Sequence, residues 1–176
     1  MKTDYLASLV PDWMARVAYR TAYWGARGWW FVRRPRTHGA AVAAWSGGRV
    51  LLVKTSYRDC YSLPGGFLRR HERSADAASR ELAEEINVFV PVARLARAWQ
   101  GTIRFEHHDD TLTIWETDFA DPLEIHANQR ELVWAGWKTA EEAQPLPLQP
   151  HLRAYLADRA SRTGRAAPPD GASPIT

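Results

Sequence analysis

The sequence predicts an α+β domain, and three observations carry that reading. Two apolar runs, 40–45 and 49–54, meet at Ser46, Gly47 and Gly48, the composition of a hairpin turn. Two longer runs rich in β-branched and aromatic residues, 92–105 and 111–119, flank a polar tip of Glu106, His107, His108, Asp109 and Asp110. Between these pairs lies a stretch of strong helix formers ending at Asn87. Hydrophobic residues at 45% and charged ones at 24% over 176 residues suit one domain with extensions.

Each element has its own signal. Leu6, Val10, Trp13, Val17 and Trp24 fall close to a helical repeat and Pro11 suits a helix start. Gly25 to Gly28 predict a break before Trp29, Trp30 and Phe31. After the hairpin and a loop over 55–60, a short strand ends in Leu63, Pro64, Gly65 and Gly66, where the backbone can come close to a ligand. The helix that follows has Ser74 as its expected N-cap and Asp76 in its first turn. Ala75, Ala77, Ala78, Leu82, Ala83 and Ile86 give it helix formers and an apolar face, and Asn87 suits the left-handed turn that ends it. A further strand is expected over 132–137, then helices over 139–143 and 150–162, the second with Leu152, Tyr155 and Leu156 as an apolar stripe. Small residues and prolines from Thr163 onward predict a disordered tail. The organisation expected is therefore a basic, aromatic extension over 1–36, a domain over 37–162 and a tail over 163–176.

The central helix carries an electrostatic liability. Glu81, Glu84 and Glu85 stand three and four residues apart, so they point into one sector and repel. Acids in a last helical turn also oppose the helix dipole. A bound divalent cation is the simplest compensation, because carboxylate oxygens are what Mg²⁺ prefers.

Read in order, Gly66, five residues, Glu72, seven residues, Arg80, Glu81, Leu82, one residue, Glu84, Glu85, Ile86, Asn87, Val88 resembles the signature of the Nudix hydrolases. The one departure is Asn87 where the family has glycine, and asparagine also tolerates positive φ. The resemblance implies a Nudix-type α/β/α sandwich, a mixed sheet with helices on both faces. It implies metal-dependent attack by water on the pyrophosphate bond of a nucleoside diphosphate linked to another moiety, with Mg²⁺ or Mn²⁺ as cofactor. Glu84 and Glu85 would be the principal ligands, with the Gly65 or Gly66 carbonyl beside them and Glu81 as ligand or base. Arg80 and Glu72 would support the site through an ion pair that ties the loop to the helix, Arg80 also orienting Glu81. Glu131, six residues before Trp137, would supply a further ligand or the base, or else be a rim glutamate, with Asp109 and Asp110 as lesser rivals for the role. A protein that binds nucleotides, or works at a membrane surface, without turnover is the alternative on the same fold.

Other residues are candidates for substrate contacts. Trp99, Phe105 and Trp115 would either stack on a nucleobase or serve as packing, packing being the reading preferred for these aromatics, and Arg58, Arg69, Arg70 and Arg104 would either meet phosphates or serve as ordinary surface charge. The six histidines have no zinc spacing, and the lone Cys60 excludes an internal disulfide. A cytoplasmic enzyme is the plain expectation, with membrane association through 1–36 as an addition.

That extension sets seven basic residues, Lys2, Arg16, Arg20, Arg27, Arg33, Arg34 and Arg36, against Asp4 and Asp12, a surplus larger than the whole chain's +3. Arginines interrupt its aromatic run, so it does not read as a membrane span. Such a helix would lie on an anionic membrane or hold phosphate-rich nucleic acid, or else pack on the core or on a second subunit as a homodimer. Nothing points to sequence-specific nucleic-acid binding.

Overall fold

The computed structural model describes residues 11–166. Its central strand, β1 (Arg36–Ser46), is buried along most of its length and sorts its side chains by the two-residue pleat. Ala40, Val42 and Ala44 join one core with Leu51 and Val53 of β2 (Arg49–Thr55) and with Ala77, Ala78, Leu82 and Ile86 of α2 (Ser74–Ile86). Ala41, Ala43 and Trp45 join the other, with Leu112 and Ile114 of β5 (His108–Phe119) and Leu152 and Tyr155 of α4 (Pro150–Ala166). Small residues on β1 let a helix approach from each side. Burying Leu82 and Ile86 alone contributes about 1.5–3 kcal/mol each.

The sheet runs β4-β5-β1-β2-β6, with β4 at Ala96–Phe105 and β6 at Leu132–Lys138, and with β3 (Gly65–Phe67) paired to β1. β1 and β5 are parallel over their full register and the other paired strands are antiparallel, so the sheet is mixed. With α2 on one face and α4 on the other, this is the α/β/α sandwich expected. Gly47 and Gly48 both have positive φ, 54° and 75°, which is why the hairpin needs glycine there. A short helix α3 (Ala140–Ala143) opens with a capping box between Thr139 and Glu142.

Several boundaries differ from expectation. Residues 92–94 form a 3₁₀ turn that precedes β4. β5 starts at His108, so the hairpin tip shrinks to Glu106 and His107, with φ of 47° and 72°. Ser74 is the first helical residue of α2, Arg73 holding the N-cap position with its guanidinium on Asp76 at 2.6 and 3.0 Å. The break expected at Gly25 to Gly28 is absent: α1 (Asp12–Arg33) is continuous. Each glycine costs about 1 kcal/mol in a helix, and docking of Tyr23 and Trp30 on the domain outweighs it. α4 runs through Ala166, into the segment expected to be a disordered tail, and 167–176 lie outside the described residues, as do Leu6 and Val10.

One buried network on α4 predicts an acid-sensitive fold. The Tyr155 hydroxyl accepts from Trp45 Nε1 at 2.7 Å and donates to Glu116 Oε1 at 2.7 Å, while Arg159 meets Glu116 Oε2 at 2.7 Å. Burial alone would raise the Glu116 pKa, but Tyr155, Arg159 and Arg162 hold it below the usual carboxylate range. A depressed folded pKa stabilises the protein above the unfolded value, and this stability is lost as pH falls through the folded one. Glu116→Gln should therefore lower neutral-pH stability by about 1–3 kcal/mol and flatten its decline below pH ~4, measured by urea unfolding across pH.

Candidate active site

The acids of α2 reach one cavity of about 530 Å³. Glu81, Glu84 and Glu85 line it from α2, Gly65, Gly66 and Phe67 from β3, and Glu131 from the loop before β6. Two backbone bonds bring that loop in: Asn128 N–H donates to Glu85 O at 2.8 Å and Ser56 N–H to Glu131 O at 2.8 Å. Asn87 ends α2 in the left-handed region, φ 62° and ψ 32°, so it does the turning that the family glycine does.

Glu85 is the most deeply placed acid, 5% exposed. Its Oε2 accepts from Gly65 N–H at 3.1 Å, and it has no ion pair among the described residues. Burial, then the nearby charges of Glu131 and Glu81, push its pKa well above the usual value. Glu81 is also raised, burial outweighing Arg80. Arg80 organises the rest. Its Nε and Nη2 bond Glu72 at 2.8 and 2.9 Å, and its Nη1 bonds Glu81 at 2.6 Å and Glu84 at 3.3 Å. The hydrogen bond from Arg80 pulls the Glu72 pKa down to about 2, so this pair locks the loop to the helix as a charged clamp.

Glu84 faces solvent, half exposed, and is shared between Arg69 at 3.0 Å and Arg80. Among the described residues no three carboxylates or imidazoles converge as a ready-made cation cage. The donor chemistry nonetheless suits a hard cation. Carboxylate oxygens dominate this wall, and burial makes Glu81 and Glu85 hard to ionise, Glu81 even beside Arg80, a cost that a bound cation would relieve.

A family model described as NUDIX domain matches residues 35–158. The chain belongs to the Nudix family. Solved structures of the same fold include a MutT NUDIX hydrolase from Burkholderia pseudomallei, 22% identical over 70% of this chain and 98% of that one, TM-score 0.62. An Ap4A hydrolase from C. elegans is 17% identical over 73% and 98%, TM-score 0.62. The NUDIX domain of Shewanella oneidensis NrtR, complexed with ADP ribose, is 16% identical over 93% and 99%, TM-score 0.61. No curated protein matches the chain.

Within this Nudix fold the remaining candidates divide. Arg58 and Arg69 line the cavity; Trp99, Arg104, Phe105 and Trp115 are not among its lining residues. Trp99 lies over Gly101 and meets the His151 ring edge-on at 6.0 Å, a packing position. Arg104 is exposed on the edge strand β4. Arg58 is already engaged: Nε and Nη2 grip Glu106 at 3.2 and 3.1 Å, and its guanidinium stands over the Tyr23 and Tyr57 rings.

Sequence reasoning missed a whole wall. Tyr19, Ala22, Tyr23, Ala26 and Trp30 of α1, N-terminal to the matched Nudix region, line the same cavity as the acids. Tyr23 donates to the Glu106 carboxylate, lies tilted against the Tyr57 ring at 5.1 Å and so clips α1 to the hairpin tip. The signal for this wall lies in spacings of three and four from Tyr19 to Trp30, on a different side of the helix from the more apolar stripe of Trp13, Val17 and Trp24. Asp110 and Gln149, both buried, line the cavity too.

Gly66 shows how tightly Glu81 is held. A Cβ there would stand 2.6 Å from Glu81 Oε1 and 2.7 Å from its Cδ, and only the flexible end of that side chain needs to yield. Gly66→Ala should leave unfolding unchanged while displacing Glu81 from Arg80. If the acids perform chemistry, turnover falls by about 10²-fold, measured beside the melting curve of the same sample.

Proposed function

We propose that this Nudix protein is a pyrophosphohydrolase in which water attacks the phosphoric anhydride of a nucleoside diphosphate linked to another group. One observation carries the reading: Glu81 and Glu85, both made hard to ionise by burial, face the same cavity as Glu131. Glu85, Glu81 and Glu84, with backbone oxygens at Gly65 and Gly66, would hold Mg²⁺ or Mn²⁺. Such an ion, when bound, neutralises charge developing on phosphate oxygens.

The protein's own groups do the rest. Arg80 fixes Glu81, and Glu72 fixes Arg80. Glu131 lies outside that clamp, oriented by the Tyr57 hydroxyl, which donates to it at 2.8 Å. Glu131 is therefore assigned as acceptor of the proton from attacking water. Glu131→Gln should lower kcat by about 10²–10⁴-fold with KM little changed. If Glu131→Gln keeps kcat within about tenfold of wild type, Glu81 is the base.

The cavity's size falls within the range of small-molecule and cofactor sites, about 300–1,000 Å³ in general. The aromatic wall of α1 offers stacking surface, and Asp110 with Gln149 offers hydrogen-bonding groups at the cavity wall. Proteins of the same fold include one named for Ap4A and one complexed with ADP ribose, so both compounds belong in the assay. A panel adding nucleoside triphosphates, run with Mn²⁺ and with chelator, tests the proposal. Metal-dependent phosphate release supports it. Nucleotide binding by calorimetry without release favours the non-catalytic reading, for which the engagement of Glu84 by Arg69 and Arg80 is the supporting observation.

A further inference from the structure

We propose that the outer face of α1 docks on an anionic lipid surface. The inner face of this helix is used up on the cavity, yet the outer one is strongly apolar. Trp13, Val17, Trp24 and Phe31, spaced four, seven and seven residues apart, make one stripe and are 65, 55, 58 and 60% exposed. Val32 beside it is 74% exposed. Large aromatic groups left in water along one stripe mark a contact surface rather than scatter.

Charge selects the occupant. Arg20 and Arg27 flank the stripe, and Arg33, Arg34 and Arg36 are exposed at its C-terminal end. Arg27 stands over the Trp24 ring at 5.2 Å and Arg33 over Trp29 at 5.4 Å. The only acid in the helix, Asp12, is taken up by Arg130 at 3.2 Å. A second copy placed face to face would bring arginine rows against arginine rows, whereas anionic headgroups neutralise them. Tryptophan and arginine are also the side chains that settle at the headgroup level, ring in the apolar layer and charge outside. No helix among the described residues is long and apolar enough to cross a membrane, so α1 lies on the surface. Its inner face would then hold the cavity about one helix diameter, ~10 Å, from lipid.

This inference does not depend on hydrolysis, and its test reads binding alone. The full chain is sedimented with phosphatidylcholine vesicles, with and without phosphatidylglycerol. It should pellet with the anionic vesicles, stay in solution with the neutral ones and be released by high salt. Arg20→Ala with Arg27→Ala should weaken binding roughly thirty-fold. Trp13→Ser with Val17→Ser should abolish it, with the melting curve unchanged. Equal pelleting with both vesicle types, or with neither, overturns the proposal. So does light scattering that shows a dimer which Trp13→Ser with Val17→Ser converts to monomer, since that assigns the face to a second copy.

Discussion

Glu85→Gln should reduce hydrolysis by on the order of 10³-fold and, without metal, make the protein more stable. Both effects come from one cause. Glu85 is 5% exposed, and burial with its acidic neighbours raises its folded-state pKa well above the unfolded one. Between those two values the folded protein binds more protons than the unfolded chain, so stability falls as pH rises through that window. Glutamine keeps an oxygen to accept from Gly65 N–H at the same place but carries no charge to desolvate. The metal-free variant should gain on the order of 1–3 kcal/mol at neutral pH and lose the decline seen on leaving acid. Wild type should gain thermal stability on adding Mn²⁺, by the linkage of binding to folding, and the variant should gain far less. Melting curves with chelator and with Mn²⁺, across pH, measure all of this. A variant that melts below wild type in chelator would show that Glu85 stabilises the fold rather than straining it.

The crowding of Glu81, Glu84 and Glu85 was legible in the sequence, because their spacing puts them on one side of the helix whatever the tertiary context. Both hairpins could be read from local chemistry as well, Gly47 and Gly48 being the residues a turn with two positive φ values requires. Hidden from it were features decided by packing at long range. Two glycines in α1 read as a break because their cost is local, while the docking of Tyr23 on Glu106 and Tyr57 that offsets it joins residues far apart in the chain. The same blindness moved substrate candidates onto Trp99 and Arg104, chosen by residue type on a strand whose position at the sheet edge sequence does not give. It also separated Glu84 from Glu85. Adjacent in the helix, one is half exposed and ion-paired and the other is buried, since β3 covers only one of them.

Gly65→Ala is the second large effect expected, and it differs in kind from Gly66→Ala. A Cβ at Gly65 would stand 2.4 Å from Ala40 O and 2.6 Å from Ala41 Cα, contacts with backbone that cannot swing aside. β1 cannot retreat, because it is paired with β5 from Arg36 to Ser46 and packed between α2 and α4. The strand that moves must be β3. Its pairing with β1, the Val42 N–H bond to Pro64 O at 2.9 Å and the Gly65 N–H bond to Glu85 would loosen together. Overpacking of this type costs about 1–3 kcal/mol, and the lost bonds add to it. Gly65→Ala should therefore lower the melting temperature and turnover together, where Gly66→Ala lowers turnover alone. Unfolding midpoints and kcat from both variants separate the glycine that lets β3 lie against the sheet from the glycine that leaves room for a carboxylate. A stable, fully active Gly65→Ala protein would mean that β3 does not sit on β1 during turnover.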